Sequence, residues 1–201
     1  MKNSPFKALL LLVMLWLPIS AHAEKYILIF GDSLSAGYGV DISESWAHLL
    51  QQKIASQGFR IINASISGET SLGGRERIAK LLRQYHPSVV ILELGANDGL
   101  RGYRIEDTEA NLDAMLQDIR DAQAHALLIG MRLPPNYGAS YTEKFQGMYA
   151  RLAKKHRVKL LPFLLDGVKE NQFQADNLHP SADAQPHIME NVLQSLRPLL
   201  R

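Results

Sequence analysis

Residues 26–39 read YILIFGDSLSAGYG. Apolar and aromatic residues lead directly into Gly31, Asp32 and Ser33, with further Ser and Gly behind them. A run this short and apolar, bounded by turn residues, marks a strand buried on both faces. Its exit admits two readings. Asp32 and Ser33 can be ordinary helix caps, or Ser33 can be a nucleophile held at the strand's carboxyl end.

Four more runs of the same kind follow: "FRIINA" at 59–64, "SVVILEL" at 88–94, "HALLIGM" at 125–131 and "VKLLPFL" at 158–164. Between and after them lie helix-length segments at 44–57, 71–85, 107–122, 140–156 and 181–199. Each repeats apolar residues at helical spacing, as Trp46, Leu49, Leu50 and Ile54 do in the first. Five βα units with short connections predict an α/β fold. The expected form is one doubly wound, three-layer, flavodoxin-like domain. Its five-stranded parallel sheet has order 2-1-3-4-5, with helices on both faces. Ligands of such sheets bind beyond the carboxyl ends of the strands.

Polar and conformationally special residues gather at those ends. They are Gly31-Asp32-Ser33, then Asn63 to Glu69, then Gly95-Ala96-Asn97-Asp98, then Arg132 to Gly138, and last Asp176-Asn177-Leu178-His179-Pro180. Singly, each has an ordinary reading as a cap or turn. Jointly they supply the parts of an acyl-transfer site. A serine hydroxyl is a weak nucleophile without a base, and the base must be held by an acceptor. A tetrahedral intermediate needs donors aimed at its oxyanion. Ser33 can attack, His179 can take its proton, and Asp176 can hold the other ring nitrogen. The backbone N–H groups of Ser33 and Gly68 and the Asn97 side-chain amide can form the oxyanion hole. Gly68, lacking a Cβ, permits close approach of backbone to ligand.

The chain has 201 residues, and its first 23 carry the pattern of a secretory signal peptide. Lys2 and Lys7 make a positive start, "ALLLLVMLWL" is an apolar run too short to span a membrane, and "AHA" fits a cleavage site before Glu24. The expected product is a single domain over 24–201 with no stable membrane anchor, in the periplasm or secreted. Without Lys2 and Lys7 the chain balances 20 basic against 20 acidic residues. No charge excess points to nucleic acid. The absence of cysteine excludes a disulfide framework, a thiol nucleophile and a Cys-ligated zinc.

"GDSLSAGYG", "ASISGET", "ELGAND" and "DNLHP", in that order, resemble the four sequence blocks of the GDSL or SGNH hydrolases. The four family letters fall on Ser33, Gly68, Asn97 and His179, and Asp176 completes the triad. With "RLPPNYG", the blocks resemble the periplasmic thioesterase I, lysophospholipase and arylesterase branch. Ala96 stands where some relatives have a second glycine. The resemblance implies a flavodoxin-like sheet with neither metal nor organic cofactor. It implies hydrolysis of small acyl esters and thioesters, including acyl-CoA, lysophospholipid and aryl esters. It also implies that the loop from Gly99 to Arg104 moves with substrate. The G-x-S-x-G elbow of α/β-hydrolases is absent.

Met131, Leu133, Pro134, Tyr137 and Leu178 are apolar residues near the expected site. They can line an acyl groove or serve packing alone. His48, His86, His125, His156 and His187 read as structural, and no pair has metal-ligand spacing. Asp32 reads as a carboxylate that fixes the turn by accepting backbone N–H groups. Asp98 reads as support behind Asn97. A monomer is expected. Two other functions fit the fold. One is a carbohydrate or other acetyl esterase. The other is a binding protein that holds phosphate at the "GDSLSAG" helix start, which leaves Asn97, Asp176 and His179 unexplained.

Overall fold

The computed structural model describes residues 24–200. The expected signal peptide lies outside the described residues. Five strands, β1 (Lys25–Gly31), β2 (Phe59–Asn63), β3 (Val89–Glu93), β4 (His125–Ile129) and β5 (Lys159–Leu161), form one parallel sheet of order β2-β1-β3-β4-β5. This is the topology expected from the βα alternation. Ile27 to Phe30 and Val89 to Leu92 are wholly buried, as continuous apolar runs in the middle of a covered sheet must be.

Among the described residues seven α-helices surround the sheet: α1 (Ser33–Ala36), α2 (Trp46–Ile54), α3 (Ser71–Tyr85), α4 (Ala96–Leu100), α5 (Ile105–Asp121), α6 (Ala139–His156) and α7 (Gln185–Leu196). Helices α2 and α7 pack together on one face, while α3, α5 and α6 lie side by side on the other. Trp46 anchors the first pair. It is fully buried, its indole N–H donates to the Leu34 carbonyl at 3.0 Å, and its backbone N–H donates to Gln185. That ties α1, α2 and α7 into one body.

The boundaries differ from the expected ones where single residues intervene. β5 stops at Leu161 rather than 164 because Pro162 has no N–H to continue the ladder. β4 stops at Ile129, and Gly130 just beyond it still donates to the Leu161 carbonyl at 2.8 Å. A Cβ at Gly130 would collide with the Pro162 carbonyl. The last helix begins at Gln185 instead of 181, after a tight turn over Ala182–Ala184, with Pro186 in its first turn where no N–H is needed. Helix α5 begins two residues earlier than expected, at Ile105. The carboxyl ends of all five strands remain at one edge, and the loops there carry the site.

Candidate active site

Ser33 is the first residue of α1, placed immediately after β1. Asp32 caps that helix, with Oδ1 accepting from Leu34 N–H at 3.0 Å. The cap reading of the opening motif holds for Asp32, and the cap sets Ser33 at the strand end, where the nucleophile reading needs it. Nε2 of His179 lies 2.8 Å from Ser33 Oγ, and Nδ1 of the same ring lies 2.6 Å from Asp176 Oδ2. The turn that carries the ring is built by Asp176 itself. Its Oδ1 accepts the backbone N–H groups of Leu178 and His179 at 2.9 and 3.0 Å. Asn177 sits between them at φ 56°, a left-handed conformation that asparagine tolerates well. The His179 N–H, then its imidazole, then the Leu178 N–H draw the Asp176 carboxyl down to about 2. It is thus ionised wherever an imidazole is neutral.

Gly68 and Asn97 face the same cavity as Ser33. Gly68 has φ 78°, and a Cβ there would meet only the Arg101 guanidinium, at 3.9 Å. Its backbone conformation, rather than crowding, demands glycine at this position. Arg101 donates to the Gly68 carbonyl at 3.2 Å and so steadies the turn whose N–H is the expected donor. Asn97 Nδ2 donates to Asp32 Oδ2 at 3.1 Å and to the Glu69 carbonyl at 3.0 Å. Both amide protons already have partners, and donation to a substrate oxygen shares or replaces one of them. Asp98 holds the start of α3, accepting from Ser71 N–H and Oγ at 2.8 and 2.6 Å. The support it gives Asn97 is therefore indirect, through that fixed turn.

The cavity has a volume of about 450 Å³. Met131, Leu133, Pro134 and Leu178 line it, as one of their two readings required. Tyr137 does not. Its hydroxyl donates to the Leu100 carbonyl at 2.9 Å and fastens the loop after Asn97 to the loop after β4. Tyr141 likewise donates to the Tyr103 carbonyl at 2.7 Å. Tyr38, Leu100, Phe163, Leu165 and Phe173 complete the apolar wall, and sequence reasoning missed all five. The Tyr38 ring packs 4.6 Å from that of His179. A second cavity, of about 440 Å³, opens around Leu116, His156 and Lys159, and none of the expected site residues line it.

The remaining histidines take the structural places expected of them. His86 caps the C-terminus of α3 in a left-handed conformation, and His156, at the end of α6, meets Asp113 at 2.7 Å. His187 bonds the Asp166 carbonyl at 2.8 Å. Glu93 was also missed. A lone acid closing the apolar run "SVVILEL" was the available signal, because a carboxyl buried among strands needs partners.

Residues 29–185 match the model of the GDSL-like lipase/acylhydrolase family. The chain belongs to that family. Among curated relatives of the family, it is 45% identical over 182 residues to esterase TesA of Pseudomonas aeruginosa, covering 89% of this chain and 90% of the relative. It is also 45% identical over 191 residues to thioesterase 1/protease 1/lysophospholipase L1 of Escherichia coli, covering 94% and 91%. The crystal structure of TesA superposes with a TM-score of 0.85 at 45% identity, covering 87% of this chain and 99% of that one. The GDSL assignment read from the four blocks is thus shown, and with it the fold.

Proposed function

We propose that Ser33, His179 and Asp176 carry out acyl transfer from carboxylic esters and thioesters to water. Family membership and the two relatives at 45% identity make the chain an ester and thioester hydrolase. The observation that carries the residue assignment is the relay of 2.6 and 2.8 Å from Asp176 through His179 to Ser33. His179 takes the Ser33 proton as Oγ bonds to the acyl carbon. The same proton then goes to the departing alkoxide or thiolate as its bond to that carbon breaks. Water repeats the sequence and frees the carboxylic acid. The Ser33 and Gly68 N–H groups and the Asn97 amide serve the oxyanion, and Asp176 holds the imidazole in the productive tautomer.

The substrates proposed are small acyl-CoA, lysophospholipid and aryl or short-chain esters. The apolar wall formed by Met131, Leu133, Pro134 and Leu178 takes the acyl chain. The loop from Gly99 to Arg104 adjusts as the chain enters. The enzyme works as a monomer, without metal or organic cofactor, after removal of residues 1–23 in the periplasm or outside the cell. Among the described residues no helix is long and apolar enough to cross a membrane.

Purified protein should hydrolyse p-nitrophenyl butyrate and an acyl-CoA, and Ser33→Ala should abolish both activities. A fluorophosphonate should label Ser33 alone. Activity surviving in Ser33→Ala would end the assignment. Acetylated sugars assayed beside the thioester test the acetyl-esterase alternative.

A further inference from the structure

Glu93 closes β3 at the end of an apolar run, and it is fully buried. Its partner in register on β1 is Gly31. A Cβ on Gly31 would stand 2.5 Å from Glu93 Oε2, so the glycine ahead of the nucleophile leaves room for this carboxyl. Oε2 accepts from Ser35 Oγ at 2.7 Å and from the Asp32 backbone N–H at 3.2 Å. It thereby holds residues on both sides of Ser33. Asp32 uses one carboxylate oxygen to cap α1 and the other to receive the Asn97 amide at 3.1 Å. A continuous path of hydrogen bonds leads from Ser35 through Glu93 and Asp32 to Asn97.

We propose that Glu93 is a positioning residue for acyl transfer, setting the Asn97 amide through Asp32. The inference rests on the reading of Ser33 as nucleophile and Asn97 as oxyanion donor. Glu93 does this as a neutral acid. Its Oε1 is buried with no hydrogen-bond partner, which an ionised carboxylate tolerates poorly. Burial and the adjacent Asp32 charge both push it well above the usual carboxylate range. What Glu93 supplies is therefore shape and an accepting oxygen, not charge. Glutamine offers the same two things.

The test is steady-state hydrolysis of p-nitrophenyl butyrate by Glu93→Gln, Glu93→Met and Asn97→Ala proteins and by the Glu93→Met, Asn97→Ala double variant. Methionine fills the space but accepts no strong hydrogen bond. Glu93→Gln should keep kcat within about threefold of the parent. Glu93→Met should lower kcat by about 10- to 100-fold, less than or comparable to the loss of a whole oxyanion donor, with KM little changed. In the Asn97→Ala background the same change should cost no more than about threefold, because residues acting as one unit are not additive. A general loss of packing would not respect that dependence. Should Glu93→Met not fold, Ser35→Ala removes one bond that orients the carboxyl. It should lower kcat with the same dependence on Asn97. Unchanged kcat in the methionine or Ser35→Ala variant, a glutamine variant as poor as methionine, or losses that multiply would each overturn the proposal. Activity persisting in Ser33→Ala would instead overturn the reading beneath it.

Discussion

His179 Nε2 reaches to within 2.8 Å of Ser33 Oγ across 146 residues of chain. The meeting is arranged by the sheet. β1 lies between β2 and β3, and the loop that returns from β5, at the far edge, reaches back to its exit. The Phe173–Pro180 bridge and the bond from Gln174 N–H to the His179 carbonyl at 2.8 Å shape that loop. Ring position thus depends on local turn chemistry at Asp176 rather than on core packing.

Asp176→Asn should separate turn building from proton handling. An asparagine oxygen can still accept from the Leu178 and His179 N–H groups, so the turn should survive. What changes is the partner of Nδ1, which no longer selects one tautomer through a full negative charge. We expect kcat on a short ester to fall by about 10²- to 10⁴-fold with thermal stability nearly unchanged. A comparable loss in unfolding temperature would show that Asp176 serves the loop alone.

Gly68→Ala probes the oxyanion turn. No neighbour crowds the new methyl, but φ 78° costs an L-residue about 1 to 2 kcal/mol. Relief of that strain rotates the peptide that carries the expected donor N–H. The variant should fold, lose about 10-fold or more in kcat, and keep its KM. Kinetics beside urea unfolding check both halves, and full activity would remove Gly68 from the oxyanion hole.

The strands and their order were legible because burial on both faces leaves little freedom. Apolar runs such as Ile27 to Phe30 can be little else in a chain of this length. The meeting of Ser33, Gly68, Asn97, Asp176 and His179 at one edge was legible because turn residues at strand ends are few and chemically distinctive. The cavity wall was not. Tyr38 and Phe173 come from segments without periodicity and Phe163 from a run read as strand, and their shared surface exists only once the loops after β1 and β5 meet. Tyr137 failed for the converse reason. A tyrosine is apolar enough to suggest a wall and polar enough to fasten a loop, and the Leu100 carbonyl decides between them. The end of β5 was open to reading, since Pro162 forbids the ladder that the apolar run invites.

Gly31→Ala tests the fit between β1 and Glu93. The added methyl would stand 2.5 Å from Glu93 Oε2, 2.8 Å from Ser35 Oγ and 2.9 Å from the Glu93 carbonyl oxygen. Two of these atoms belong to side chains already locked by hydrogen bonds and the third to the central strand, so none can yield cheaply. Overpacking of this kind costs about 1 to 3 kcal/mol. Chemical unfolding should show a loss in that range. A neutral result would mean that β1 and β3 separate without penalty at their carboxyl ends.

Acid and base should act on stability in opposite directions at the two aspartates. Burial, the largest cause, raises Asp32 from 3.8 to about 6, against the Leu34 N–H and nearby groups that favour its charge. Between those values the folded state holds a proton that the unfolded chain has released. Its contribution is fully present below about 3.8 and is lost as pH rises through 6. Asp176 is lowered to about 2, so its contribution is present above 3.8 and is lost as pH falls toward 2. Of the two aspartates, Asp32 dominates from pH 4 to pH 7. Over that window the parent should lose of order 1 to 3 kcal/mol relative to Asp32→Asn, since each unit of pKa shift is worth about 1.4 kcal/mol. Urea unfolding of both proteins at several pH values reads the difference, in which carboxyls remote from Asp32 cancel and the interacting Glu93 is counted with it. Parallel curves would mean that Asp32 stays ionised in the folded protein throughout, with the Asn97 amide and the Leu34 N–H outweighing its burial.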